Sequence, residues 1–96
     1  MNVTISDRAK LDLTKILAYI LLLNRKSAET LDARFRDKIS SLTLFPERGR
    51  MRSEFGPVIR VLLVGVYLVI YRMMPNEIVI LRVIDGRMDV EAEFRE

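Results

Sequence analysis

Val58-Ile59-Arg60-Val61-Leu62-Leu63-Val64, then Gly65, then Val66-Tyr67-Leu68-Val69-Ile70-Tyr71-Arg72, and, after a break at Met74-Pro75-Asn76-Glu77, Ile78-Val79-Ile80-Leu81-Arg82-Val83-Ile84: this stretch decides the fold. Each run is short and rich in β-branched and aromatic residues, the composition of neighbouring strands and not of helices. Gly65 and Pro75-Asn76 supply the turns, so the runs form an antiparallel meander. Arg60 and Arg82 sit in mid-strand, and an unpaired guanidinium is costly to bury, so both need partners.

Working outward, a two-residue turn at Val64-Gly65 sets Arg60 opposite Val69, and a four-residue turn over residues 74–77 sets Val69 opposite Arg82. Opposed residues share a face. One face then holds Val58, Arg60, Leu62, Tyr67, Val69, Tyr71, Ile80, Arg82 and Ile84. The other holds Ile59, Val61, Leu63, Val66, Leu68, Ile70, Val79, Leu81 and Val83, with Arg72 near its end. The second, wholly apolar set is the expected bed for helices. The first is expected to be covered by a partner chain or by the C-terminal segment. Its arginines are expected to bridge to Asp85, Asp89 or Glu54.

Before the meander, Asn2–Ile5 reads as a first strand. Ser6 is an N-cap residue and Asp7 suits a helix start. Ala9, Leu13, Ile16, Leu17, Ile20 and Leu23 then recur at helical spacing, widened by Leu11, Ala18 and Leu22. This helix is expected to touch both the sheet and a second helix, and to end near Asn24-Arg25-Lys26. Ser27 is read as the next N-cap, with Ala28, Leu31, Phe35, Ile39 and Leu42 as the second stripe. Phe45-Pro46 stops it, and the two helices form an αα-hairpin. Residues 46–57 read as a loop carrying Arg48, Arg50 and Arg52, either a solvated connector or a basic contact for an acidic partner. The expected fold is α+β, ordered β-α-α-β-β-β, with the helix hairpin packed on one face of an antiparallel sheet. Residues 1–96 are read as one domain ending in an acidic tail over 88–96.

Composition narrows the chemistry. Half of the 96 residues are hydrophobic, ample for one core, and there is no Cys or His. Disulfides, thiol catalysis and the usual zinc and haem ligands are therefore excluded, along with the commonest general base near neutral pH. No cofactor or metal is expected. Of the 16 basic residues 12 are Arg, and the net charge is +3. Residues 88–96 carry −3, which leaves +6 on the rest and suits an acidic partner. The apolar run 16–23 is far short of the about 20 residues a membrane span needs. Absence of Cys and of a signal peptide points to the cytoplasm.

At this level of detail the chain resembles the RelE/ParE toxin superfamily of bacterial type II toxin–antitoxin pairs. The resemblance rests on Ala9, Leu13, Ile16 and Tyr19-Ile20 in the first helix, then on Ser27-Ala28, Ile39, Leu42, Phe45-Pro46 and Gly49-Arg50. It continues through the segments beginning Pro57-Val58-Ile59-Arg60, Val64-Gly65-Val66-Tyr67 and Ile80-Leu81-Arg82. It implies the fold already read from periodicity, a cognate antitoxin as partner, and operator DNA contacted only through that antitoxin.

The superfamily divides by target. RelE-like members cleave messenger RNA on the ribosome, with Arg and Lys holding phosphate and a late His or Tyr moving protons. Arg60 and Arg82 match the sheet arginines. There is no His, no Tyr beyond Tyr71, and all four lysines lie in the expected helices, leaving only Glu47 and Glu54 as bases. ParE-like members poison DNA gyrase without chemistry of their own and stabilise plasmids, and the ending Arg82-Val83-Ile84-Asp85-Gly86-Arg87 is similar to theirs, except for Asp85 where many relatives carry His. The resemblance therefore favours a ParE-like, non-enzymatic gyrase inhibitor, with a ribosome-dependent endoribonuclease and a non-toxic binding module as alternatives. Arg50, Arg60, Tyr67, Tyr71, Arg82 and Arg87 are the candidate partner-binding residues, and Arg60 and Arg82 the phosphate-holding pair of the nuclease alternative.

Overall fold

The computed structural model describes residues 1–96. The order is β1 (Asn2–Ile5), α1 (Asp7–Leu23), α2 (Arg25–Ser41), β2 (Arg50–Met51), a 3₁₀ turn (Ser53–Phe55), β3 (Ile59–Val64), β4 (Tyr67–Met73), β5 (Glu77–Asp85) and α3 (Val90–Phe94). The sheet runs β1-β5-β4-β3-β2, antiparallel except where β1 lies parallel to β5. The α+β fold with a helix hairpin on one face is as the sequence implies. β2, the 3₁₀ turn and α3 are additions to it.

Ser6 caps α1 as expected, its hydroxyl accepting the Ala9 N–H at 3.1 Å. The second cap is Asn24, not Ser27. Asn24 is extended, ends α1, and accepts the Ser27 N–H on its side-chain oxygen at 3.0 Å. One residue thus breaks both helices, and Arg25-Lys26 become helical. The α2 stripe is as read: Ala28, Phe35, Ile39 and Leu42 are buried. The α1 stripe is narrower. Ala9, Leu13, Ile16 and Leu17 pack on the core, while Leu11, Leu22 and Leu23 are exposed, Leu22 at 85%.

The helices lie on the opposite face of the sheet from the one expected. The first turn is Gly65-Val66, with Gly65 at φ +58, so Val64 opposes Tyr67 and Arg60 opposes Tyr71. This slip of two residues keeps the faces of β3 and β4 as read. The β4–β5 register begins as expected, Tyr71 opposite Ile80, but shifts between Ile70 and Tyr71. A β-bulge at Leu81 adds one residue to β5, so Arg82 opposes Ile70 and Val83 opposes Val69. A single extra residue exchanges every later side chain across the sheet. Arg82 leaves the tyrosine face and Val83 enters it. That face then carries Leu62, Val64, Tyr67, Val69, Tyr71, Ile78, Ile80 and Val83, which pack with Ala9, Phe35, Ile39 and Leu42 of the helices. Tyr67 meets Phe35 with ring centroids 5.6 Å apart. The reverse face, Ile59, Val61, Leu68, Ile70 and Ile84, is covered by Phe55, Val90 and Phe94. The chain's own C-terminal segment covers this reverse face and not the tyrosine face expected for it, through α3, whose Phe94 meets Phe55 edge-on at 5.1 Å.

Candidate functional site

Of the four residues expected to share an open face, Arg60, Tyr67 and Tyr71 stay together on one face, while the bulge moves Arg82 to the other. Tyr67 and Tyr71 lie under the helices at 9% and 0% exposure. Tyr71 acts as a pin for the loop before β2. Its hydroxyl accepts the Gly49 N–H and donates to the Pro46 carbonyl, both at 2.8 Å. A Cβ at Gly49 would stand 2.6 Å from that hydroxyl, so only glycine lets the loop approach. Burial raises the phenol's pKa, against the opposing pull of the Gly49 hydrogen bond and of Arg60. Arg60 completes the pin, donating from Nη1 to the carbonyls of Gly49 at 2.8 Å and Glu47 at 3.3 Å. Its partners are backbone carbonyls and not the acids expected for it.

Arg82 is held by Asp12, a residue the reading of α1 overlooked. Its Nε and Nη2 donate to the two carboxylate oxygens of Asp12 at 2.8 and 3.2 Å. The same carboxylate accepts the Val83 N–H at 2.9 Å. β1 pairs β5 only as far as Ile80. Beyond that point α1 closes the open edge: Ser6 N–H donates to Ile80 O, Ser6 Oγ to Leu81 O, and Asp12 receives Val83. The third arm of Arg82, Nη1, reaches the Glu93 carbonyl and fastens α3. One signal for this was in the sequence: Asp12 is an acid inside the apolar stripe of α1.

Two candidate residues remain outside. Arg50 is exposed and joins no ion pair, and Arg87 pairs with Asp85 at 2.7 Å in the turn after β5. The Arg87 guanidinium holds the Asp85 carboxyl below its usual range. Asp85 and Glu54 thus pair with Arg87 and Arg52, not with the sheet arginines. Arg48, Arg50 and Arg52, at two-residue spacing, line one cleft with Val61, Leu62 and Leu63. On the far side of the molecule a mostly apolar groove of about 530 Å³ opens between β1 and the helices, lined by Val3, Ile5, Leu13, Leu17, Phe35 and Ile39, with the Asp32–Arg36 pair beside it. No three acidic side chains stand at metal-ligating spacing, and no helix is long and apolar enough to cross a membrane. Chemically, Arg60 and Arg82 cannot grip one phosphate. They project from opposite faces, and each already donates to protein acceptors, Arg60 to two backbone carbonyls and Arg82 to Asp12 and the Glu93 carbonyl.

This architecture, a helix hairpin over one face of a five-stranded sheet, is shared with a solved structure of the chromosomal ParDE TA system from P. aeruginosa. The TM-score is 0.74 at 22% identity, covering 86% of this chain and 92% of that one, a likeness of fold. The family follows from the sequence match: residues 3–90 fit the model of the ParE toxin of the type II toxin–antitoxin system parDE, and the chain belongs to that family. It is also similar to Toxin ParE3 of Caulobacter vibrioides, 42% identical over 53 residues, spanning 55% of this chain and only about half (53%) of that relative's length.

Proposed function

We propose that this ParE-type toxin inhibits DNA gyrase in the bacterial cytoplasm by protein binding alone, and that a cognate antitoxin neutralises it. The observation that carries the reading is the family match over residues 3–90. The separation of Arg60 from Arg82 supports it, since a phosphate-cleaving site needs both cations on one side of the substrate. A ribosome-dependent endoribonuclease would also need a proton carrier. The only tyrosine in the pinned cluster has its pKa raised and its hydroxyl engaged on both sides.

The groove beside β1 is the surface best suited to an antitoxin. β1 is an edge strand, so an extended segment can pair with it, and the groove takes that segment's apolar side chains. The exposed apolar end of α1, Tyr19, Leu21, Leu22 and Leu23, offers a second protein-binding anchor. Arg50 and Arg87 are the exposed charges of the working surface, and Arg60, Tyr67, Tyr71 and Arg82 support it from within. Operator DNA is met only through the antitoxin.

Expression of the chain in growing cells, with and without the small acidic protein of the neighbouring reading frame, tests this. The expected result is gyrase-dependent DNA damage with intact transcripts, suppressed by the neighbour. Cleavage of translated messages would sink the reading in favour of the nuclease. Normal growth with folded toxin present would favour a non-toxic binding module.

A further inference from the structure

We propose that the open edge of β3, beside Arg48, Arg50 and Arg52 in and around β2, is a docking site for an extended acidic polypeptide segment. β2 is only two residues long and pairs Arg50 with Val61 and Met51 with Arg60. The Arg52 N–H donates to the Ile59 carbonyl at 3.0 Å, so the odd-numbered residues of β3 turn their backbone groups toward β2. Leu63 is the next of these. The chain before β2 has been drawn away at Gly49 by the Tyr71 and Arg60 pins, so the Leu63 N–H and C=O face an open edge. An unpaired strand edge is a template for another extended chain.

The side chains around that edge select the visitor's charge. The cleft there, about 370 Å³, is lined by Arg48, Arg50, Arg52, Val61, Leu62 and Leu63, and no acid. Arg50 has no ion-pair partner, Arg48 donates to the Ser41 hydroxyl at 2.8 Å, and Arg52 is shared between Glu54 at 2.8 Å and the face of Phe55. Alternate residues of an extended chain repeat every ~7 Å, so a strand with acids at alternate positions can set them against Arg50 and its neighbours in the cleft. Leu63, 61% exposed, supplies an apolar contact between the charges. The free backbone groups favour a polypeptide over a nucleic acid, which offers no strand to pair with them. The site lies on the β2 side of the sheet, while the groove beside β1 lies at the other edge. The inference therefore stands whatever protein this toxin inhibits.

The test is a backbone amide NMR titration of the full chain with a synthetic peptide of about eight residues alternating Glu and Val. The expected result is a shift and slowed hydrogen exchange at the Leu63 amide. R48E/R50E should weaken binding roughly tenfold or more, R25E on the helix connector should not, and added salt should weaken it. The proposal is overturned if the peptide shifts only residues of the β1 groove, if the peptide of alternating Lys and Val binds equally well, if nothing binds at millimolar peptide, or if a short DNA duplex occupies the same amides more tightly.

Discussion

Asp12 in α1 and Arg82 in β5 form a two-point ion pair across 70 positions of sequence, with side chains only 10% and 7% exposed. Because Asp12 also caps Val83 and Arg82 also holds Glu93, this pair joins α1, the end of β5 and α3. Removing one partner leaves a buried charge unpaired. Asp12→Ala should cost about 3–5 kcal/mol in urea unfolding, whereas replacing both residues with leucine should recover most of that loss. A double variant no more stable than the single one would show that the pair does more than satisfy itself.

Phe94 fastens the C-terminal helix to the reverse face of the sheet. Phe94→Ala removes its edge contact with Phe55 and uncovers the cluster around Ile70 and Ile84. The expected loss is about 1–3 kcal/mol, with faster amide exchange in α3 while α1 and α2 stay protected. Uniformly faster exchange would mean that α3 is integral to the whole fold.

Tyr71 makes stability depend on alkaline pH. Below about pH 10, the usual tyrosine pKa, the phenol is protonated whether the chain is folded or not, and its contribution is intact. As pH rises past that value, the unfolded chain releases a proton that the fold retains, because burial raises the pKa of Tyr71. Stability therefore falls until Tyr71 ionises in the folded state as well. Tyr71→Phe should start less stable, having lost both loop hydrogen bonds, and should show a shallower decline from pH 10 upward in denaturant titrations.

Val58 is the only residue other than glycine with positive φ, at 56°, and it is half exposed. A left-handed β-branched residue costs about 1–2 kcal/mol and glycine's extra freedom gives back about 0.5–1 kcal/mol. Val58→Gly should thus gain up to about 1.5 kcal/mol in thermal or urea unfolding. A loss would show that the Val58 side chain contributes packing that outweighs its backbone.

Strand composition, turn residues and the α2 stripe made the architecture legible before any coordinates. The face of the sheet was not legible, because both faces are apolar enough to take helices and the choice turns on one bulged residue, Leu81. Nothing about a leucine among aliphatics marks a bulge. α3 was readable in principle: Asp89 caps it, and Val90 and Phe94 lie one turn apart. The acids around them drew attention to charge instead of spacing. Arg60 and Arg82 were rightly singled out as needing partners, yet what they bind is Asp12 and three backbone carbonyls. Long-range partners of that kind carry no local signature, apart from the misplaced acid in α1.

The central claim, gyrase inhibition by binding, is tested most directly by mixing the purified, folded chain with DNA gyrase, supercoiled plasmid and ATP, then denaturing the enzyme and measuring linearised DNA. The account predicts loss of supercoiling and dose-dependent linear DNA that requires gyrase and disappears when the cognate antitoxin is added first. Unchanged supercoiling and uncut plasmid at a large excess of folded chain would contradict it.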